Sequence, residues 1–298
     1  HTKKLGIVQD LNRLSFNSFM SQLRKINLPL DSSAKVVGPR LLHGSQWGVI
    51  DPVDTPDGGN VGLHKHMSIC TFITDGYSKY TLIPILRELK MKYIKELHPN
   101  TIYNLTKIII NGDWIGITEY PENTINTLKY YKKIAVIPIY TSISWIIQDK
   151  TIFIFTDYGR LSRPIIYIDN DGKPSFDKPN ILKLINQDSV TWQDMVASFN
   201  KRLQSYSIKS NTVYSINDLY PSFSKETEND FNQNKAIIEY IDSAESETSL
   251  IAVDFENIST LHTHVEIHPS LIFGIMGNQV IFPENNQLPR DLFSCGQS

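Results

Sequence analysis

The sequence predicts a mixed α+β protein assembled from several small lobes, and three observations carry that expectation. Its apolar runs, such as 107–110 and 151–155, are strand-sized, and none reaches the roughly 18 residues that a membrane span needs. Residues 5–26 carry a broad apolar stripe (Leu11, Leu14, Phe16, Phe19, Met20, Leu23) at helical spacings. Stretches dense in Gly, Pro and Asp then interrupt the chain and exclude long regular elements there. With 298 residues, 41% hydrophobic and 20% charged, the composition is that of a soluble globular protein with room for more than one core.

The elements follow in order. Residues 5–26 form a helix that Pro29 closes, and 30–35 are a short polar loop. Residues 39–63 hold Gly44, Gly48, Pro52, Pro56, Gly58, Gly59 and Gly62 beside Leu41, Leu42, Trp47 and Val53. Such a stretch is too broken for regular structure and too apolar for a free linker, so it is an ordered, partly buried loop. Residues 66–73 are a strand or helix, 81–97 a helix, and 124–133 a helix capped by Asn123. Asn111-Gly112 inside 108–117 is a strong hairpin signal. Residues 135–139, 144–147, 152–156 and 164–169 are β-like, with turns at Tyr158-Gly159-Arg160 and Asp171-Gly172-Lys173-Pro174. Residues 170–235 are the least patterned. Residues 236–241 and 250–253 are strands around an acidic turn, and 262–268 alternate with period two. Three blocks result: 1–75, 76–255 (two small lobes, 76–140 and 141–255) and 256–298.

Charge is unevenly spread. Net charge is −2, but residues 1–50 carry +5 and residues 221–260 carry −7. The basic end is suited to face an anion and the acidic stretch to face water. Cys70 and Cys295 are the only cysteines, which excludes a disulfide framework and points to a reducing compartment. Isoleucine is abundant and alanine scarce, a bias that fits an AT-rich genome. The chain opens on His1 rather than Met, the mark of a processed chain or an internal fragment.

Two constellations have ligand chemistry. Asp51, Asp54 and Asp57 sit three apart in a turn, where they either bind a divalent cation or cap backbone amides. His262, His264, Glu266 and His268 share one face of a strand, as zinc ligands or as a hydrogen-bonded polar face. Either set would make the chain a metallohydrolase. His64-Lys65-His66 reads as a surface turn or a phosphate contact. Arg290 follows Pro289, and a stiffly held guanidinium suits a phosphate oxyanion.

The order of motifs resembles the second-largest, β-type subunit of multisubunit DNA-directed RNA polymerases. Arg40-Leu-Leu-His43-Gly-Ser-Gln-Trp47-Gly48, followed by Pro52-Val-Asp54-Thr55-Pro56-Asp57-Gly58 and Asn60-Val-Gly62-Leu63, is similar to that family's signature loop. Gln9-Asp-Leu11-Asn12-Arg13, Phe155-Thr-Asp157-Tyr-Gly159-Arg160-Leu-Ser-Arg163-Pro164, Tyr240-Ile-Asp242, and Thr263-His264-Val-Glu266-Ile-His268-Pro269-Ser270 agree in the same order, as does Phe282-Pro283 through Arg290. The pattern resembles eukaryotic, archaeal and large-DNA-virus enzymes more than bacterial ones, and the AT-rich bias favours a giant virus.

The resemblance implies a multi-lobed α+β fragment with a fork region (1–75), two small α/β external domains (76–140 and 141–255) and the start of a hybrid-binding domain (256–298). It implies that residues 30–35 are the fork loop and that Gln9, Arg13, Arg24, Lys35, Arg40 and His43 line the nucleic-acid side. Asp54 and Asp57 would shape an active-centre loop without ligating metal, and Arg290 would contact the triphosphate of the incoming NTP. Phe293 stands where relatives often carry Tyr, so no hydroxyl is offered there. The implied partners are the largest subunit and the other polymerase subunits, with template DNA, the RNA–DNA hybrid and NTP, and no membrane. Mg²⁺ would be held mainly by the largest subunit, so this segment alone is expected to be inactive. A viral source implies the virion and host cytoplasm, a cellular one the nucleus. The alternative is a free-standing nucleic-acid-binding protein that uses the +5 segment.

Overall fold

The computed structural model of the chain describes residues 8–33, 36–169, 171–186, 190–199 and 234–297. In chain order the elements are α1 (Phe16–Leu23), β1 (Lys25–Asn27), β2 (His64–His66), β3 (Phe72–Ile73), α2 (Leu82–Glu88), α3 (Pro99–Ile102), β4 (Thr106–Ile110), β5 (Asp113–Thr118), α4 (Pro121–Lys133), β6 (Ser142–Ile146), β7 (Thr151–Phe155), β8 (Leu161–Tyr167), α5 (Pro179–Asn186), α6 (Trp192–Ala197), β9 (Ile238–Asp242), α7 (Ser243–Glu247), β10 (Ile251–Ala252), β11 (His264–Val265) and α8 (Leu288–Gln297). The α+β class therefore holds. No helix among the described residues is long and apolar enough to cross a membrane. The chain divides into two compact units: residues up to 72 together with those from 268 onward, and residues 73–267.

The first unit has little regular structure. The helix expected over 5–26 is shorter: α1 begins only after Ser15, whose hydroxyl accepts the Ser18 N–H in a reciprocal cap. The Gln22 side chain accepts the Asn12 N–H at 2.7 Å and donates to the Asp10 carbonyl at 2.8 Å, so residues 10–14 fold back along the helix instead of extending it. The helix stops at Leu23, well before Pro29, because the next residues enter β1, which pairs antiparallel with β2 (Lys25↔His66, Asn27↔His64). His64-Lys65-His66 is thus a paired strand, not a surface turn. Val53, Met276 and Cys295 form the small core.

The second unit contains two cores. A four-stranded sheet in the order β5-β4-β7-β6 packs Ile108, Ile110, Ile143, Ile152 and Ile154 against Leu82 and Leu86 of α2 and Ile125 and Leu128 of α4. Each such side chain contributes roughly 1.5–3 kcal/mol on burial. Asn111 (φ 51°) and Gly112 (φ 86°) make the tight β4–β5 turn that the sequence signals. The helix expected over 81–97 breaks at Lys90 (φ 66°), where the chain turns so that Met91 enters the core. α4 starts at Pro121, not at an Asn123 cap, and ends before Ala135 (φ 59°), so 135–139 is a helix exit and not a strand. The boundary placed at 140/141 cuts this sheet: β4 runs parallel to β7 (Lys107↔Thr151 to Ile110↔Ile154), so β6 and β7 belong to the first lobe.

The other core forms where β8 pairs with β9 and β11, and β11 runs parallel to β10. Ile166, Ile238, Ala252 and Val265 meet Ile181 of α5 and Val196 of α6. Residues 256–267 pack here, so the boundary falls at 267/268 rather than 255/256. Much of the patternless stretch, 200–233, lies outside the described residues.

A buried ionic cluster joins the two lobes. The Lys132 ammonium of α4 lies 2.7 Å from Glu245 and 3.3 Å from Glu239, all nearly inaccessible to water. Glu245 also accepts the Ile143 N–H at 3.0 Å, and Asp242 accepts the Ser142 hydroxyl at 2.8 Å and Arg160 at 3.0 Å. Burial pulls the His264 imidazole below the usual histidine range, against the attraction of Glu239 3.7 Å away. Removing one partner of a buried cluster strands the others. Lys132→Met is therefore expected to lower unfolding stability by about 3–5 kcal/mol in urea titrations. His264 sets a pH dependence. The folded state holds its proton more weakly than the unfolded state, so stability falls as pH drops below about 6.5, by up to about 1.4 kcal/mol per pH unit. Comparing the stability–pH curves of the parent and His264→Gln checks this, with a flatter curve expected for the variant.

Candidate functional site

The loop over 39–63 is built from short turns closed by backbone hydrogen bonds, and side chains tie those turns to one another. The Arg40 guanidinium donates to the carbonyls of Gly59 at 2.7 Å, Val61 at 3.0 Å and Ser32 at 3.1 Å. It thereby ties the 30–33 loop to the glycine-rich turn. Gly62 (φ 73°) lies against Arg40 so closely that a Cβ would stand 2.5 Å from the Arg40 Cα and carbonyl oxygen. The Thr55 hydroxyl accepts the Gly62 N–H and donates to the His64 carbonyl. Arg24 makes a second clamp, donating to the carbonyls of Ser68 at 2.6 Å, Thr71 at 3.0 Å and Ile69 at 3.3 Å.

The three aspartates divide their work. Asp51 is buried and accepts the N–H groups of Val53 at 2.9 Å and Gly274 at 2.6 Å, which ties the motif loop to the segment before α8. Burial pushes its carboxyl above the usual range. Asp54 lies 3.1 Å from His66 Nδ1, with its second oxygen buried and unpartnered. Asp57 caps the turn Gly58–Asn60. Backbone capping is thus the main use of this set. The alternating histidines disperse in the same way. His262 meets Ser259, His264 meets Thr263 and Glu239, Glu266 meets Arg163 at 2.6 Å, and His268 meets Ser270. Among the described residues no group of three or more His, Cys, Asp or Glu is arranged to hold a metal ion.

Helix α8 reaches this loop through Cys295, which packs with Val53. Burial and the charges of Asp54, Asp51 and Asp291 push the Cys295 thiol up to about 12. On the first turn of α8, Arg290 is exposed and makes no ion pair or side-chain hydrogen bond among the described residues. Arg13 is also exposed, its guanidinium 4.9 Å from the Phe19 ring centroid. Gln9 is exposed. His43 caps the turn Gly44–Gln46 and joins Leu42, Trp47, Ile50, Pro52 and Ile272 around a cavity of about 230 Å³. Lys35 lies outside the described residues. Of the expected anion-facing cations, Arg24 and Arg40 are committed to carbonyls, and Arg13 and Arg290 have donors to offer. Asp51, Thr55 and His66, which the sequence offered as a cation ligand, a motif residue and a phosphate contact, are structural members of the site.

The comparisons with known proteins agree with this geometry. The family model for RNA polymerase Rpb2, domain 3, matches residues 9–73, which hold both arginine clamps. The model for RNA polymerase Rpb2, domain 4, matches residues 108–169, from the β4–β5 hairpin to β8. Over 97% of the chain, 31% of residues are identical to DNA-directed RNA polymerase II subunit 2 of Arabidopsis thaliana. Over nearly its whole length the chain matches one segment of the second-largest subunits of RNA polymerases. It is also 30% identical over 97% of its length to DNA-directed RNA polymerase II subunit RPB2 of Encephalitozoon cuniculi. Against DNA-directed RNA polymerase III subunit RPC2 of Drosophila melanogaster it is 27% identical over 98%. It spans 22%, 23% and 22% of these three relatives. All three come from cellular organisms, and none supports the viral source expected from composition.

In this polymerase family segment the Arg40 clamp leaves no room at Gly62. Gly62→Ala is expected to cost more than about 1–2 kcal/mol, from the left-handed backbone plus the clash. Urea unfolding should show the loss, and limited proteolysis should show new cleavage in 55–64.

Proposed function

We propose that the chain works as part of a DNA-directed RNA polymerase, where it supplies the fork loop, the external lobes and one wall of the nucleotide pocket. The observation that carries this is Arg290. It stands exposed on the first turn of α8, and that helix packs on the family's signature loop through Cys295 and Val53. A helix N-terminus and a guanidinium together favour phosphate. Phosphoryl transfer depends on positioning and on neutralising charge, so a triphosphate contact there contributes to the reaction without doing covalent chemistry itself.

The remaining roles follow from what each side chain has left to offer. Arg13, Gln9 and His43 would face nucleic acid. Arg24 and Arg40 would act indirectly, by fixing the loops that face it. Asp54 and Asp57 would shape the loop through His66 and the Gly58 turn. The donor set here does not suit a resident metal, so Mg²⁺ would be held by another subunit, mainly the largest. Template DNA, the RNA–DNA hybrid and NTP would be the ligands of the assembled enzyme. The nucleus is the compartment if the source is cellular, which the cellular relatives favour. The virion and host cytoplasm would apply to a viral source.

The test is Arg290→Ala in the whole enzyme. A fall of about a hundredfold in kcat/KM for NTP is expected, on the scale of losing one charge-stabilising donor. Arg290→Lys should recover part of it. Unchanged kinetics would overturn the assignment.

A further inference from the structure

The four-stranded sheet of the second unit uses only one face for its core. Ile108, Ile110, Ile143, Ile152 and Ile154 point inward. Strand alternation then puts the residues between them on the opposite face. Register sets Ile109 beside both Phe153 and Trp114, and Lys107 beside Thr151. Phe153 and Phe155, two apart on β7, hold their rings parallel to within 4°, with centroids 6.3 Å apart. Trp114 is 40% exposed, and the Lys107 ammonium lies 5.4 Å from its ring centroid. The Lys150 carbonyl accepts the Lys107 N–H at 2.8 Å, and the Lys150 ammonium lies 5.8 Å from the ring of Tyr103, which is 85% exposed.

Charge is complementary to phosphate at this edge. Neither Lys107 nor Lys150 makes an ion pair among the described residues. Asp113 on the same hairpin is paired with Lys79, which offsets its negative charge. Half-buried rings at Phe153 and Phe155 and the exposed rings of Trp114 and Tyr103, flanked by ammonium groups without ion pairs, suit unstacked bases joined by a phosphate backbone. A duplex keeps its base faces stacked and has none to offer. A protein partner would have to bring a carboxylate to each ammonium group, whereas a polynucleotide carries a negative charge at every linkage.

We propose that this face of the second unit is a binding platform for a single-stranded polynucleotide. Bases stack on Trp114, Phe153 and Phe155, and Lys107 and Lys150 meet phosphates. The platform is distinct from the fork-side residues and does not depend on the role given to Arg290.

Fluorescence anisotropy of the full chain with labelled oligouridylate, oligothymidylate and a DNA duplex tests it. Single strands should bind more tightly than duplex, and more weakly as salt rises. Trp114→Ala should weaken binding about tenfold, while Trp114→Phe, which keeps a ring, retains most of it. Lys107→Gln should reduce the salt slope by roughly 0.7. Ultraviolet cross-links should fall in 107–114 and 150–155. A preference for uridylate or for thymidylate upholds the platform and names the strand. No binding, binding indifferent to Trp114→Ala and Lys107→Gln, or cross-links confined to 8–72 would overturn it.

Discussion

Both units of this protein depend on one constraint: polar groups taken out of water must find partners inside the chain. The first unit has only two helices, one short strand pair and a series of turns to satisfy its backbone. Two guanidinium groups satisfy loop carbonyls that these leave over, because each offers several donors in a planar fork. Arg24 collects Ser68, Ile69 and Thr71; Arg40 collects Ser32, Gly59 and Val61. Asp51 does the converse, accepting N–H groups from residues 53 and 274 and so tying the two ends of the unit together. The irregular loops are ordered through charged side chains, and little apolar core is needed.

The second unit meets the same constraint with charges. Its lobes each have an apolar core, but between them sit Lys132, paired with Glu239 and Glu245, and Asp242, paired with Arg160, with the three carboxylates and the ammonium nearly dry. An arrangement of this kind adds modest net stability yet penalises any other docking of the lobes, since a shifted register would leave a buried charge alone. The sheet of the first lobe spends one face on this packing and keeps the other for aromatic and basic side chains.

The first of these solutions bears on the proposed function. Phosphoryl-transfer machinery gains from groups held in place before substrate arrives. Arg24, Arg40 and Asp51 do not reach outward; they stiffen the loop on which α8 rests. Arg290 can then be exposed without being loose, because Pro289 and the packing of Cys295 fix its helix.

The sequence by itself determined the local features whose physics is local. Asn111-Gly112 had to be a tight turn, because both residues accept positive φ. The isoleucine-rich runs had to be strands, and the glycine-rich motif loop had to be ordered. The order of motifs also carried the resemblance to the polymerase subunits. Tertiary structure decided what depends on distant partners. The stripe over 5–26 became a short helix because Gln22 folds the preceding residues back on it. The 81–97 pattern broke at Lys90 because Met91 is buried in the core. Arg24 and Arg40, legible only as cations, became clamps because carbonyls from 47 and 21 residues along the chain, respectively, arrive beside them. The alternating histidines took separate partners because Glu239 and Arg163 come from other strands. Helical and strand periodicity are set within a few residues of chain, whereas the partner of a buried charge is set by which segments the fold brings into contact.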